Sequence, residues 1–117
     1  MPILPLAVEN ADELARRPGR TIVFKDSLTC DLSQWAAHQM ARLTERYEDI
    51  TLYRVDVRAQ RPLSQDLAAH FGVRHESPQI LIIEDGKVVW HASHRAVSAD
   101  RVRAALDGAG EQVGARM

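Results

Sequence analysis

Apolar and polar positions change their period several times along the chain, and each change predicts an element. Asn10 to Arg17 reads as a short helix: Asn10 can cap it, Glu13 lies in its first turn, and Pro18-Gly19 ends it. Thr21 to Phe24 are continuously apolar or β-branched, which predicts a buried strand over residues 20–25. From about residue 30 to residue 47, Leu32, Trp35/Ala36, Met40, Leu43 and Tyr47 recur at helical spacing, so an amphipathic helix should turn this stripe to the core. Thr51 to Val57 alternates as a second strand. Leu63, Leu67, Ala68 and Phe71 restore the helical period until Gly72 stops it. Ile80 to Ile83 is a third buried strand, and Asp85-Gly86 turns it back into Val88 to His91, a two-residue hairpin signal. Ser98 caps a last helix to about Leu106, and the tail past Gly108 reads as frayed.

The order is thus α-β-α-β-α-β-β-α. The first two strands are joined by a helix, so they should be parallel with a right-handed crossover. Cys30, the only cysteine of 117 residues, falls where the first strand hands over to its helix. A thiol in a first helical turn meets unpaired backbone N–H groups and the positive end of the helix dipole, and both favour thiolate. Three residues on stands Ser33, so the pattern is Cys-x-x-Ser and redox chemistry must run on one thiol. This order, with a thiol at that junction, is the order of the thioredoxin-like fold. The expectation is an α/β, thioredoxin-like domain over residues 1–117, with a mixed four-stranded sheet flanked by helices and a core of about 10–107.

Composition narrows the partners. Net charge is −1, which gives no electrostatic reason to expect nucleic acid or an anionic membrane. No apolar run approaches the roughly 18 residues needed to span a bilayer. The first eight residues lack a basic region and a long apolar stretch, so they do not read as a signal peptide. A lone cysteine excludes an internal disulfide, and with no export signal the expected compartment is the reducing cytoplasm.

Each candidate side chain has a plain reading beside its chemical one. Cys30 is a nucleophile or an inert buried thiol; its junction position among polar residues favours the nucleophile. Ser33 donates a hydrogen bond to the thiolate or is a helix-compatible polar residue. Thr29 caps the helix or touches a bound thiol. Lys25 pairs with a carboxylate of a thiol co-substrate or is a solvated lysine at a strand end. Ser77-Pro78 stands directly before the third strand, where thioredoxin-like proteins place a cis-proline opposite the thiol, so this bond is expected cis. The five histidines raise a metal site, but His91 and His94 lie three apart at a strand exit and need not converge, and one cysteine is poor supply for a structural zinc. No metal is expected. His38 and His70 should face solvent, and Trp35 and Trp90 should be core aromatics.

Four segments together resemble one family. They are the run from Lys25 through Cys30 to Ser33, Arg61-Pro62-Leu63-Ser64, His75-Glu76-Ser77-Pro78-Gln79 and Trp90-His91-Ala92-Ser93-His94. They are similar to the monothiol bacilliredoxins, also called bacilliredoxin C, thioredoxin-like proteins of the bacillithiol system, over about Asn10 to Leu106. The resemblance implies reduction of mixed disulfides between protein cysteines and bacillithiol, with Cys30 as nucleophile. It implies a thiol site drawn from Lys25, Thr29, Ser33, Ser77, Pro78 and His94, with His75 at its border. Bacillithiol would be the thiol co-substrate, S-thiolated proteins the clients, and the protein a monomer.

Two residues depart from the family pattern. Asp31 replaces a usual proline and Asp26 a frequent histidine, and each brings a carboxylate near the thiol. Two unit charges about 7 Å apart interact by roughly 0.6 kcal/mol in water. The helix terminus acts in the other direction by about 0.3–1 kcal/mol. The two are comparable, so the sequence leaves the sign of any shift at Cys30 open, and Lys25 is expected to offset one carboxylate. Two other functions stay in play. One is an iron–sulfur carrier of the monothiol-glutaredoxin kind, although those typically show Cys-Gly-Phe-Ser where this chain has Cys30-Asp31-Leu32-Ser33. The other is a non-enzymatic thioredoxin-like stress protein with a merely regulated cysteine.

Overall fold

The computed structural model describes residues 3–27, 31–47 and 51–115. Five strands form one mixed sheet: β1 (Ile3–Pro5), β2 (Arg20–Asp26), β3 (Leu52–Asp56), β4 (Gln79–Glu84) and β5 (Lys87–Ser93). Its order is β1-β3-β2-β4-β5. The first three are mutually parallel, β4 runs antiparallel to β2, and β5 runs antiparallel to β4. The helices are α1 (Ala11–Ala15), α2 (Asp31–Arg46), α3 (Arg61–Phe71) and α4 (Ala99–Ala115). A 3-10 turn at His94–Ala96 leads into α4.

The fold is thioredoxin-like as expected, but the sheet has five strands rather than four. The added strand, β1, has three residues and ends in Pro5, too short and too proline-bound to show a period. It is an edge strand, where a proline is tolerated, and Leu6 N–H extends its pairing to Arg54 O at 2.9 Å. The last helix also runs beyond Leu106 to Ala115, across a non-helical Gly108.

β2 is buried along both faces because helices cover both. On one side Ile22, Phe24, Leu52, Ile80 and Ile82 pack with Ala36, Met40 and Leu43 of α2 and Val102, Ala105 and Leu106 of α4. On the other, Val23, Val55, Leu81 and Ile83 meet Ala11 and Leu14 of α1 and Leu63 and Leu67 of α3. The crossovers α2 and α3 thus leave the central strands on opposite faces.

Local signals act where expected. Asn10 Oδ1 accepts the Glu13 N–H at 3.0 Å and caps α1. Gly72 closes α3 in the left-handed region at φ 67°. Asp85 and Gly86 both have positive φ, as a hairpin turn of this kind needs. Gly86 also has a packing reason, because a Cβ there would sit 2.5 Å from Ala15 O.

The stripe of α2 departs from the expectation at Trp35 and at both ends, where Leu32 and Tyr47 are only half-buried. Its buried residues are Ser33, Ala36, Met40, Leu43 and Thr44. Trp35, one residue from Ala36 and about 100° around the helix, is 37% exposed rather than part of the core. Thr44 is accommodated because its hydroxyl donates to Met40 O and Ala41 O, both at 3.1 Å. Trp90 packs, half-buried, against the α2–α4 core. Among the described residues no helix is long and apolar enough to cross a membrane.

Candidate functional site

Cys30 and Thr29 lie outside the described residues. The described chain on either side ends at Ser27 and resumes at Asp31, the first residue of α2. Ser33 is fully buried on the α2 turn that follows. Its Oγ accepts the Ser27 N–H at 3.2 Å and lies 3.4 Å from Ser77 Oγ. One hydroxyl therefore ties the end of β2, the start of α2 and the loop before β4 together. A second cysteine would stand there in a dithiol protein. Here the place is taken by a hydroxyl with structural partners.

The Ser77-Pro78 bond is cis, as expected. Pro78 is buried, and its carbonyl accepts the His94 N–H at 2.8 Å. His94 adopts φ 56° to make this contact and leaves its side chain exposed. The structure therefore brings Ser33, Ser77, Pro78 and the His94 backbone into one neighbourhood. Gln79, the next residue, is buried and donates through Nε2 to Arg74 O at 2.9 Å and Ser93 Oγ at 3.3 Å. A hydrogen bond from the Ser93 side chain is in turn the leading cause that holds the Glu76 carboxyl below its usual range; His94, Arg74 and His91 pull the same way, against desolvation.

Lys25 is set apart from that group. It alternates with Val23, so it shares the α1–α3 side of the sheet, and it is fully buried rather than solvated at a strand end. Its Nζ lies 3.2 Å from His75 Nδ1, which is also 3.2 Å from Ser64 Oγ on α3. An ammonium can only donate, so Nδ1 accepts and the imidazole proton belongs on Nε2. Desolvation pushes Lys25 down to about 8. His75 is also pushed below its usual value, first by desolvation and then by Lys25 and Arg61, with Glu76 opposing. The residues Arg61 and Ser64 have no candidate role in the sequence reading; the Arg-Pro-Leu-Ser motif contains both without saying which neighbour they meet.

The carboxylate of Asp26 is offset differently from the expectation. Its partner is Arg54 on the neighbouring strand, with Nη2 to Oδ2 at 2.5 Å, and not Lys25. Lys25 and Asp26 are consecutive in a strand, so their side chains take opposite faces and cannot meet. Among the described residues no group of three or more His, Cys, Asp or Glu side chains is placed to hold a metal ion.

Comparison with known proteins agrees with this geometry. The chain resembles a structure described as a candidate oxidoreductase with a thioredoxin fold, at 25% identity and TM-score 0.80, over 90% of this chain and 94% of that one. Thioredoxin 2 from Pseudomonas aeruginosa PAO1, reduced form, is similar at 23% identity and TM-score 0.68, with 89% and 92% covered. Fasciola hepatica thioredoxin follows at 20% and 0.64, with 92% and 97% covered. These last two share the fold. The family model described as monothiol bacilliredoxin BrxC matches residues 6–102, and a protein whose one cysteine is followed by a structurally engaged Ser33 suits that description. The chain belongs to the monothiol bacilliredoxin family and has its thiol redox role.

Proposed function

We propose that this protein removes bacillithiol from S-thiolated protein cysteines, using Cys30 as its one nucleophile. The observation that carries the reading is Ser33: its position, three residues after Cys30, holds a buried hydroxyl bonded to the Ser27 N–H and no second thiol. The family match over residues 6–102 supports the same reading.

The Cys30 thiolate attacks the bacillithiol sulfur of the mixed disulfide. A new S–S bond forms to Cys30, and the client cysteine leaves as a thiolate that takes a proton from water. A second bacillithiol, as thiolate, then attacks the bacillithiol sulfur carried on Cys30. Oxidised bacillithiol departs and Cys30 is free again. The second step needs an external thiol because a serine hydroxyl cannot resolve a disulfide. Attack is governed by the thiolate fraction at Cys30. The loop that carries Ser77 and Pro78 stands beside Ser33 through the 3.4 Å hydroxyl contact, which supports a substrate lying across the start of α2 with Ser77 at its side.

Intact mass after incubation with oxidised bacillithiol tests the reading, together with release of bacillithiol from a thiolated client. Wild type should gain one adduct and release the client. Cys30→Ser should do neither while keeping its circular dichroism spectrum, since a hydroxyl is a poor nucleophile at neutral pH. Client release by the serine variant would overturn the mechanism.

A further inference from the structure

Outside the Ser33–Ser77 neighbourhood, the C-terminal edge of the parallel strands carries a second polar feature. A hollow of about 140 Å³ is lined by Val57, Arg58, Arg61, Ser64, Gln65 and His75. It opens beyond β3, against the first turns of α3. The two crossovers leave the sheet there on opposite faces, and α/β sheets commonly bind ligands at such a place. Behind His75 lies Lys25, fully buried, its ammonium donating to the imidazole. Among the described residues no carboxylate forms an ion pair with Lys25. Burying an ammonium without an anion is expensive, and an anion in front of His75 would lower that cost.

We propose that this hollow is an anion site for the carboxylate-bearing part of the small thiol transferred at Cys30. The proposal rests on the function given above and adds the part of the substrate that Arg58, Arg61 and His75 would recognise. Guanidinium groups suit carboxylates because they donate two N–H bonds in one plane. The Nε2–H of His75 adds a neutral donor, while the Ser64 hydroxyl donates to His75 Nδ1 and holds the ring in that orientation. The hollow, open to solvent on one side, has room for one small acidic group. Lys25 has no surface of its own, so it acts through His75 as a positioning residue. The acids that act on the cluster are Glu76, which opposes the cations at His75, and Asp56, which accepts the Arg58 and Ala59 N–H groups and feels Arg54 and Arg58.

The test follows the His75 ring protons by NMR against pH, in millimolar succinate and in sodium chloride of matched ionic strength. The salt control removes simple screening, which by itself also raises a histidine among cations. Succinate should raise the His75 midpoint by about 0.5–1 unit, because a nearby opposite charge favours the protonated ring. Arg61→Gln, an exposed substitution at the start of α3, should remove most of that rise. Equal midpoints in succinate and chloride would overturn the site, and a response to inorganic phosphate without one to succinate would overturn the carboxylate assignment. A kinetic arm separates this from the function itself. The preference of wild type for a client thiolated with bacillithiol over one carrying neutral 2-mercaptoethanol should fall about tenfold in Arg61→Gln. An undiminished preference overturns the site and leaves the Cys30 reaction standing. Attack on neither client, with the succinate response intact, overturns the reaction and leaves the anion site standing.

Discussion

Lys25 and Asp26 are neighbours at the end of β2, both buried, of opposite charge, and on opposite faces of the sheet. Asp26 is neutralised within the fold by Arg54, whose side chain is 36% exposed and so stays partly hydrated. Lys25 meets a neutral imidazole and no carboxylate among the described residues. The first arrangement balances its charge without a ligand, although Arg54 Nε is buried and has no hydrogen-bond partner. The second keeps an ammonium in a desolvated place at a cost in stability, which is how charged groups reserved for binding differ from groups that hold a fold together. The same contrast separates the two helices. Apart from Ser33 and Thr44, the buried residues of α2 are apolar, and those two hydroxyls have partners. The first turn of α3 offers the exposed Arg61 to a hollow, whose wall includes Ser64 bonded to His75.

The largest effect should come from breaking the completed pair. Arg54→Met leaves the Asp26 carboxylate buried without its partner and should destabilise the protein by about 2–4 kcal/mol. That lies toward the lower side of a fully buried pair because Arg54 is partly hydrated. The measurement is the urea midpoint at constant m-value. Adding Asp26→Asn should recover part of the loss, and a double-mutant cycle gives the coupling. A variant as stable as wild type would mean the pair is no more structural than Lys25, and the contrast would fail.

Lys25→Met should act with the opposite sign. It removes the desolvated charge and keeps the stem, while His75 retains Ser64 as a partner. A gain of about 1–3 kcal/mol at pH 7 is expected. The sign with pH follows from a folded pKa of about 8 against an ordinary 10.5. Between those values the unfolded chain binds more protons, so stability rises with pH there. The burial penalty is complete below about pH 8 and is relieved as pH climbs toward 10.5. Urea midpoints at intervals from pH 7 to 10 should therefore climb in wild type relative to Lys25→Met. Parallel curves would show that Lys25 bears no penalty, and the reason for treating it as held for a ligand would go with it.

Most of the fold was legible because its strands announce themselves. Thr21 to Phe24 and Ile80 to Ile83 are buried on both faces and so are continuously apolar, and Asp85-Gly86 is a turn with few alternatives. Ser33 was legible as a position but not as a set of partners. What the pattern does not carry is pairing at long range. β1 is held by β3 and shows no period of its own. Trp35 and Ala36 are adjacent, and only packing decides which one enters the core. Lys25 looked like a strand end because a lysine seldom goes fully buried. Arg54 and His75 lie 28 and 50 residues from the groups they meet, and sequence spacing gives no sign of that.

The smallest effect concerns Asp31, whose carboxylate adjoins Cys30 in sequence and lies exposed in the first turn of α2. With Asp26 neutralised by Arg54, Asp31 is the charge of the two that remains to act on the thiol. Asp31→Asn keeps the shape and removes that charge. Losing a like charge favours the thiolate, so alkylation by iodoacetamide should reach its midpoint at a lower pH than in wild type. The shift should be about 0.2–0.5 unit, because two charges about 7 Å apart interact by only roughly 0.6 kcal/mol in water. The plateau rate should also drop slightly, since intrinsic nucleophilicity falls with thiol basicity. Asp26→Asn, tested in parallel, should move the midpoint less than Asp31→Asn, because the Asp26 charge is already balanced by Arg54. A larger shift from Asp26 would show that the Arg54 pair does not shield the thiol, and that the two faces at the end of β2 are not as separate as their partners make them.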